Sequence, residues 1–304
     1  MMTDAAPIQH DMPFDVVALY AFTPIIDPVS LQTELRKFGL TENLCGTLIL
    51  AYEGFNGTLA GPRPALDQLV LRLRKFLIDG RQAEIKFSTA AKRPFWKLKI
   101  KVKREIVTLG LPAINPSKQA GTYVKPKDWN ALIADPDTVV IDTRNSYEIA
   151  VGSFENAIDP ETRLFSQFPN WVAANREKLK GKRLAMFCTG GIRCEKATAL
   201  MKAEGFEDVH HLQGGILRYL EEVPQDQSLW AGDCVVFDKR VVLQHGLIQG
   251  PSIKCPKCHT PIAATKIDQN KPHCPDCIRA SLIATSQNPS NAEQTPPYQE
   301  PDDV

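Results

Sequence analysis

The sequence holds no run of about 18 apolar residues, the length a helix needs to cross a bilayer. Its opening, MMTDAAPIQHDMPFDV, lacks the basic start and apolar core of an export signal. These two absences predict a cytoplasmic chain with no membrane contact. An excess of one charge is missing as well. There are 36 Lys and Arg against 35 Asp and Glu, so no global field draws in a polyanion. No internal repeat is visible, and neither is a flavin or haem signature or a His/carboxylate iron triad. Eight cysteines without an export signal point to thiol or metal chemistry rather than to disulfides.

What the chain does contain is unevenly spread. Its 304 residues suit two domains with appendages. Between Arg72 and Arg104, 12 basic residues face 2 acidic ones, whereas the last 22 residues carry 4 acidic and no basic side chains. That tail, residues 283–304, is rich in Pro, Gln, Asn and Ser and is predicted to be disordered.

Residues 14–111 read in the order β-α-β-β-α-β, which predicts a ferredoxin-like α+β sandwich. Asp27 or Ser30 can cap a first helix running through Phe38 and stopping at Gly39. Strands at 46–52 and 57–60 are expected on either side of the turn-rich Glu53-Gly54-Phe55-Asn56. Pro64 opens a second helix with Leu66, Leu69, Val70, Leu73 and Leu77 on one face. Strands at 84–88 and 98–109 complete the unit. A Pro- and Ser-rich linker, 112–120, follows. Residues 121–225 alternate apolar strands (138–142, 183–187, 208–212) with helices (195–204, 216–222), as in a mostly parallel α/β sheet. Its core is expected to close before Pro224, leaving 226–250 as a connecting segment and 254–281 as a separate cysteine-bearing unit.

The chemistry concentrates in Cys188-Thr189-Gly190-Gly191-Ile192-Arg193, between the strand at 183–187 and a helix starting near Cys194. A lone cysteine at a strand end usually behaves as a small buried hydrophobe. Here the loop feeds a helix N-terminus, where backbone N–H groups and the helix dipole favour a thiolate nucleophile. The two glycines let the backbone bend inward. Arg193 can add a positive charge for an anionic substrate or a persulfide. Cys194, at the start of the same helix, either packs or resolves an oxidised or persulfidated Cys188 as a disulfide.

The segment 95–103 alternates strictly. Lys97, Lys99, Lys101 and Lys103 share one strand face and Leu98, Ile100 and Val102 the other. With Lys92, Arg93 and Arg104 they form a basic stripe suited to phosphates. Edge lysines can also serve only as a solvated face that resists aggregation.

The cysteine loop resembles the active loop of the rhodanese family, sulfurtransferases that carry a cysteine persulfide. Ile141-Asp142-Thr143-Arg144-Asn145-Ser146-Tyr147-Glu148 with Gly152-Ser153-Phe154-Glu155-Asn156-Ala157 resembles that family's upstream motif, whose Asp and Arg brace the sheet. Ser153 departs from it, a histidine being common there. Gly205-Phe206-Glu207-Asp208-Val209 with Leu212-Gln213-Gly214-Gly215-Ile216 resembles its closing motif. The flanks are more specific. Glu53-Gly54-Phe55-Asn56-Gly57-Thr58, the stretch from Leu98 to Val107, that from Gly121 to Asn130 and that from Gly232 to Val241 resemble the tRNA uridine hydroxylases. That resemblance covers residues 14–247 and implies an acylphosphatase-like domain before a single rhodanese domain. It also implies hydroxylation at C5 of the wobble uridine of tRNA by molecular oxygen, with Cys188 essential and Cys194 a helper. No donor of sulfur or electrons is named by it. The residues read alone give persulfide chemistry, so sulfur transfer stays open. A non-catalytic scaffold is the third reading, and the retained Cys188 argues against it.

Cys255-Pro256-Lys257-Cys258 and Cys274-Pro275-Asp276-Cys277 form a C-x₂-C-x₁₅-C-x₂-C pattern. Two such knuckles suit a closed, tetrahedral structural Zn²⁺ in a zinc-ribbon-like unit, with His259 and His273 as weaker candidate ligands.

Overall fold

The computed structural model describes residues 14–78, 82–267 and 273–280. The tail at 283–304 lies outside them. In the N-terminal unit, β1 (Phe14–Phe22), α1 (Pro28–Thr41), β2 (Cys45–Ala51), β3 (Gly54–Gly61), α2 (Arg63–Arg74), β4 (Glu84–Ala90) and β5 (Leu98–Val102) follow one another. The sheet order is β4-β1-β3-β2-β5. The first four strands are antiparallel, as in a ferredoxin-like sandwich, and β5 is added in parallel along β2.

Local chemistry sets the boundaries, several of them away from the expected ones. The Asp27 carboxylate accepts the N–H groups of Val29 and Ser30, and Pro28 supplies a helix-ready φ, so α1 starts there. The helix does not stop at Gly39. Asn43, at φ 55°, takes the left-handed position instead, and Leu44 N–H closes onto the Gly39 carbonyl. Gly39 is needed for space, since a Cβ there would come within 2.7 Å of Leu98. The β2–β3 hairpin turns on Tyr52 and Glu53 alone, with Ala51 paired to Gly54, so Gly54, Phe55 and Asn56 belong to β3. Leu77 lies beyond α2, although it packs on the same core.

Strand β5 ends at Val102, well short of Leu109. Beyond it the Glu105 carboxylate accepts the N–H groups of Leu109 and Gly110, folding the chain into a loop. Ile100 is buried in the N-terminal core and Leu98 and Val102 pack against it, so the expected alternation is present.

The second unit has a four-stranded parallel sheet. In chain order come β6 (Thr122–Val124), α3 (Pro126–Ile133), β7 (Thr138–Asp142), α4 (Ser146–Ile149), β8 (Gly152–Phe154), α5 (Phe168–Leu179), β9 (Arg183–Phe187), α6 (Ile192–Ala203), β10 (Val209–Leu212) and α7 (Gly215–Glu222). The sheet order is β6-β10-β9-β7, every pairing parallel. Strand β9 is apolar on both faces because each face is covered. Leu184 and Met186 enter one core with α5 and α6, while Ala185 and Phe187 enter another with α3 and α7.

The segment expected to connect, 226–250, is part of that second core. Strand β11 (Trp230–Gly232) pairs with β8, and β12 (Cys234–Val235) pairs with β13 (Val242–Leu243). Trp230, Cys234, Val236, Leu243 and Leu247 are buried with Trp129, Phe154 and Phe187. The Trp230 ring meets Phe154 edge-on at 5.2 Å and covers an aromatic cluster that water would otherwise reach. The core therefore closes near Leu247 and not before Pro224. A short hairpin, β14 (Ile253–Lys254) with β15 (Pro261–Ile262), opens the cysteine unit. Among the described residues no helix is long and apolar enough to cross a membrane.

Burying large apolar side chains contributes roughly 1.5–3 kcal/mol each, so losing four or five approaches a domain's whole stability of about 5–15 kcal/mol. A chain ending after Ser252 should therefore melt cooperatively, close to the full-length temperature. One ending at Pro224 should be insoluble or melt without a cooperative transition. Equal calorimetric melts for the two truncations would show that residues 226–250 add nothing to the core.

Candidate active site

Cys188 leaves the end of β9, and Gly191, at φ 101°, caps α6. A side chain at Gly191 is barred twice, by the left-handed backbone and by the Tyr20 hydroxyl 2.7 Å from the Cβ position. The helix begins at Ile192, two residues earlier than expected, which places the cysteine loop directly on its first turn. The Gly191 N–H donates to Cys188 Sγ at 3.1 Å. From the other side, the N–H groups of Ile216 and Leu217 on α7 donate to the carbonyls of Cys188 and Thr189. Gly215 sits at this junction, where a Cβ would lie 2.4 Å from the Cys188 carbonyl. The loop reaches the surface at Gly190, where an added Cβ would meet nothing within 4 Å. Cys188 itself is fully buried.

Beneath the loop, the buried Asp142 carboxylate takes two hydrogen bonds from the Arg144 guanidinium, at 2.9 and 2.6 Å, one from the Arg144 backbone N–H at 3.1 Å, and one from Ser153 Oγ at 2.9 Å. Arg144 also donates to the Gly152 carbonyl. Ser153, at a position where a histidine is common in the family, thus braces the same carboxylate. Arg193 differs from expectation. Its guanidinium is clamped by buried Glu148 at 2.6 and 2.8 Å, and Thr189 Oγ1 donates to the same carboxylate. Its charge is therefore spent largely inside the protein instead of being offered to a substrate anion.

Burial opposes ionisation of Cys188. The Cys194 side chain, the Arg193 guanidinium and the amides of Cys194 and Gly191 outweigh it and bring the thiol down to about 6. Cys194 moves the opposite way. Burial and the neighbouring Cys188 sulfur push its pKa well up, against a contact with Thr143 Oγ1 at 3.5 Å. At neutral pH the site holds one thiolate beside one thiol.

The N-terminal unit covers this site, which sequence reasoning missed. Tyr20 on β1 donates to Glu195 Oε1 at 2.9 Å, and the Tyr123 phenol lies against the same carboxyl. Burial raises Glu195 to about 7 in spite of these tyrosines. Lys196 is buried and pairs with Glu53 at 2.8 Å and Glu105 at 2.5 Å. Farther along the seam Arg240 donates to Ser88 Oγ and the Thr89 carbonyl, and Lys86 pairs with Glu221. The available signal was the adjacent Glu195 and Lys196 just ahead of the mostly apolar run 197–201, although nothing local names the partners.

The structure brings Lys99 and Lys101 onto one face of the edge strand β5, with Lys97 and Lys103 flanking it, Lys92 and Arg93 exposed in the loop before it and Arg104 exposed after it. Just past Arg104, Glu105 grips Lys196, and Ile106 joins a small core that includes Tyr20 and Ile192. The basic strand thus leads into the wall of the cysteine site. Cys255, Cys258, Cys274 and Cys277 lie apart from it, their four Sγ atoms within 4.8 Å of one another.

A parallel sheet ending in a six-residue cysteine loop against a helix N-terminus defines a rhodanese-type domain. Residues 125–222 match the rhodanese-like domain family, and residues 14–106 match the UPF0176 acylphosphatase like domain. The chain belongs to the tRNA uridine(34) hydroxylase family. It is 53% identical over 252 residues to the proteins of that name from Brucella ovis and Brucella canis, covering 83% of this chain and 82% of each relative. A solved rhodanese-related protein from Thermoplasma volcanium aligns with 34% of this chain and 93% of its own, at 23% identity and a TM-score of 0.28.

Alkylation of Cys188 by iodoacetamide should rise with pH through a midpoint of about 6. Arg193→Gln removes a charge that favours the thiolate, so its midpoint should move up toward the ordinary thiol value of about 8.5. A wild-type midpoint already near 8.5, read by peptide mass spectrometry, would contradict the cradle.

Proposed function

We propose that this chain hydroxylates uridine 34 of tRNA at C5, with dioxygen as oxidant and the Cys188 thiolate as the reacting group. The observation that carries this reading is the continuity of a basic strand with a thiolate site. Lysines on and around β5 give way within a few residues to Glu105 and Ile106, which touch α6 beside the cysteine loop. Phosphate contacts along β5 would hold the RNA while a splayed-out base is presented to the loop. The names of the Brucella relatives support the same reaction. In this reading residues 14–111 form the RNA-holding unit and 121–225 the catalytic unit, with 226–250 completing its core and 254–281 forming a metal unit. The setting is the cytoplasm.

Plain sulfur transfer is the second reading. The six-residue loop with an amide aimed at Cys188 Sγ would hold a persulfide equally well. The basic strand separates the two, because a small thiophile needs no phosphate-binding surface.

The four-cysteine cluster fits zinc. Zn–S bonds of about 2.3 Å in a tetrahedron put the sulfurs about 3.8 Å apart, and Cys258 and Cys274 already stand at 3.5 Å. The Cys274 N–H donates to Cys255 Sγ, as an amide does in a knuckle around a ligating thiolate. We infer a closed structural site in which Cys255, Cys258, Cys274 and Cys277 hold the ion and stabilise their own hairpin.

Cys188→Ser should abolish 5-hydroxyuridine in tRNA nucleosides while leaving the melt unchanged, and wild-type levels from that variant would sink the assignment. Replacing Lys97, Lys99, Lys101 and Lys103 together by Gln should weaken tRNA binding. It should also flatten the salt dependence by roughly one unit of log–log slope per lost phosphate contact. Alkylation of Cys188 should stay at the wild-type rate. Equal affinity and slope by fluorescence anisotropy would return these lysines to a solvated face.

Protein purified without chelator should carry about one Zn²⁺ per chain by elemental analysis, and chelation should unfold the cysteine unit without melting the two cores. A metal-free preparation with an intact hairpin would refute the site.

A further inference from the structure

Cys188 and Cys194 are the pair of cysteines outside the metal cluster that share a core. Cys45 and Cys234 are buried in two other clusters. All of these are free thiols. The first turn of α6 brings Cys188 and Cys194 together. The Gly191 N–H at its start donates to Cys188 Sγ at 3.1 Å. Cys194 Sγ lies 3.5 Å from Thr143 Oγ1, which donates to the carbonyl of Phe187 next to Cys188. Each sulfur shifts the other's ionisation. Arg193, whose charge favours the thiolate of each, is itself held by Glu148. The pair therefore consists of a thiolate backed by a protonated thiol, both buried just beneath the loop that surfaces at Gly190.

Hydroxylation of C5 with dioxygen leaves an electron deficit. Reducing O₂ fully takes four electrons, and converting C5–H to C5–OH supplies two. We propose that Cys188 and Cys194 supply the other two, closing to a disulfide once for each uridine hydroxylated. This rests on the hydroxylase reading above and assigns its missing reductant to the chain itself.

The atoms balance. One oxygen atom of O₂ forms the C5–OH bond as the C5–H bond breaks. The other stays on sulfur and converts Cys188 to a sulfenic acid. The Cys194 sulfur then attacks the Cys188 sulfur, the S–O bond breaks, and an S–S bond forms. The oxygen leaves as water with the Cys194 proton. In sum, C5–H, O₂ and two S–H groups give C5–OH, H₂O and one disulfide. The next turnover requires thiol–disulfide exchange with an external dithiol, so a disulfide-reducing reaction must follow this one in the cell.

The test uses the full-length, zinc-loaded protein, reduced and then freed of thiol, mixed with unmodified tRNA in air. Without added thiol, the wild type should make about one 5-hydroxyuridine per chain and stop, with dithiothreitol restoring turnover. Peptide mapping should find the Cys188–Cys194 disulfide accumulating in step with product. Cys194→Ser should also stop at about one product per chain without thiol, but with Cys188 held as a sulfenic acid that dimedone traps and with no disulfide. Many products per chain without thiol, or product without that disulfide, would overturn the proposal. So would product from Cys194→Ser with Cys188 left as an unoxidised thiol. The wild-type disulfide measurement needs no variant, so a misfolded Cys194→Ser does not weaken it. Failure to make 5-hydroxyuridine even with dithiothreitol present would instead overturn the hydroxylase reading itself.

Discussion

The first turn of α6 is enclosed on every side. Consecutive helical residues point about 100° apart, so Arg193, Cys194, Glu195 and Lys196 face four directions, and all four are buried. Buried charges are tolerated only when paired, and each finds its partner in a different part of the chain. Glu148 comes from α4, the Cys188 sulfur from the end of β9, Tyr20 from β1, and Glu53 and Glu105 from the β2–β3 turn and the loop after β5. Loop geometry, thiolate chemistry and the docking of the two units all depend on this one turn. Removing one member of such a buried pair typically costs about 3–5 kcal/mol, because the other charge is left uncompensated.

That arrangement explains which parts were legible in the sequence. The cysteine loop is contiguous, its glycines and flanking strand are local, and the motif therefore shows on inspection. The brace of Asp142 and Arg144 lies within three residues and was visible for the same reason. Glu148 stands 45 residues from Arg193, and Tyr20 stands 175 residues from Glu195. No periodicity encodes such pairings. Arg193 was consequently read as a charge offered to substrate, when its partner turns it inward.

The element boundaries failed for related reasons. Gly39 looked like a helix stop because glycine commonly ends helices, yet here the missing Cβ makes room for Leu98. Strand β5 looked longer because Ile106 and Val107 continue an apolar pattern, but they leave the sheet to pack toward the second unit. Residues 226–250 read as a connector because their strands are two or three residues long. Their apolar side chains were present in the sequence, and what was hidden was the aromatic cluster awaiting a lid. The antiparallel-sandwich and parallel-sheet classes were legible throughout, since strand and helix order alone decides them.

The seam also orders events during biosynthesis. Chains emerge from the ribosome N-terminus first, and domains generally fold as units in that order. The acylphosphatase-like unit can therefore fold while Tyr20, Glu53 and Glu105 still face water without their partners on α6. Cys188 and α6 emerge about 85 residues after Leu98–Val102 is complete, onto a surface already shaped to receive them. The aromatic lid from Trp230 to Leu247 follows, ahead of the cysteine unit. The thiol is thus handed directly from the exit tunnel to its cover, which shortens the interval in which a nascent, oxidisable sulfur is open to stray reaction.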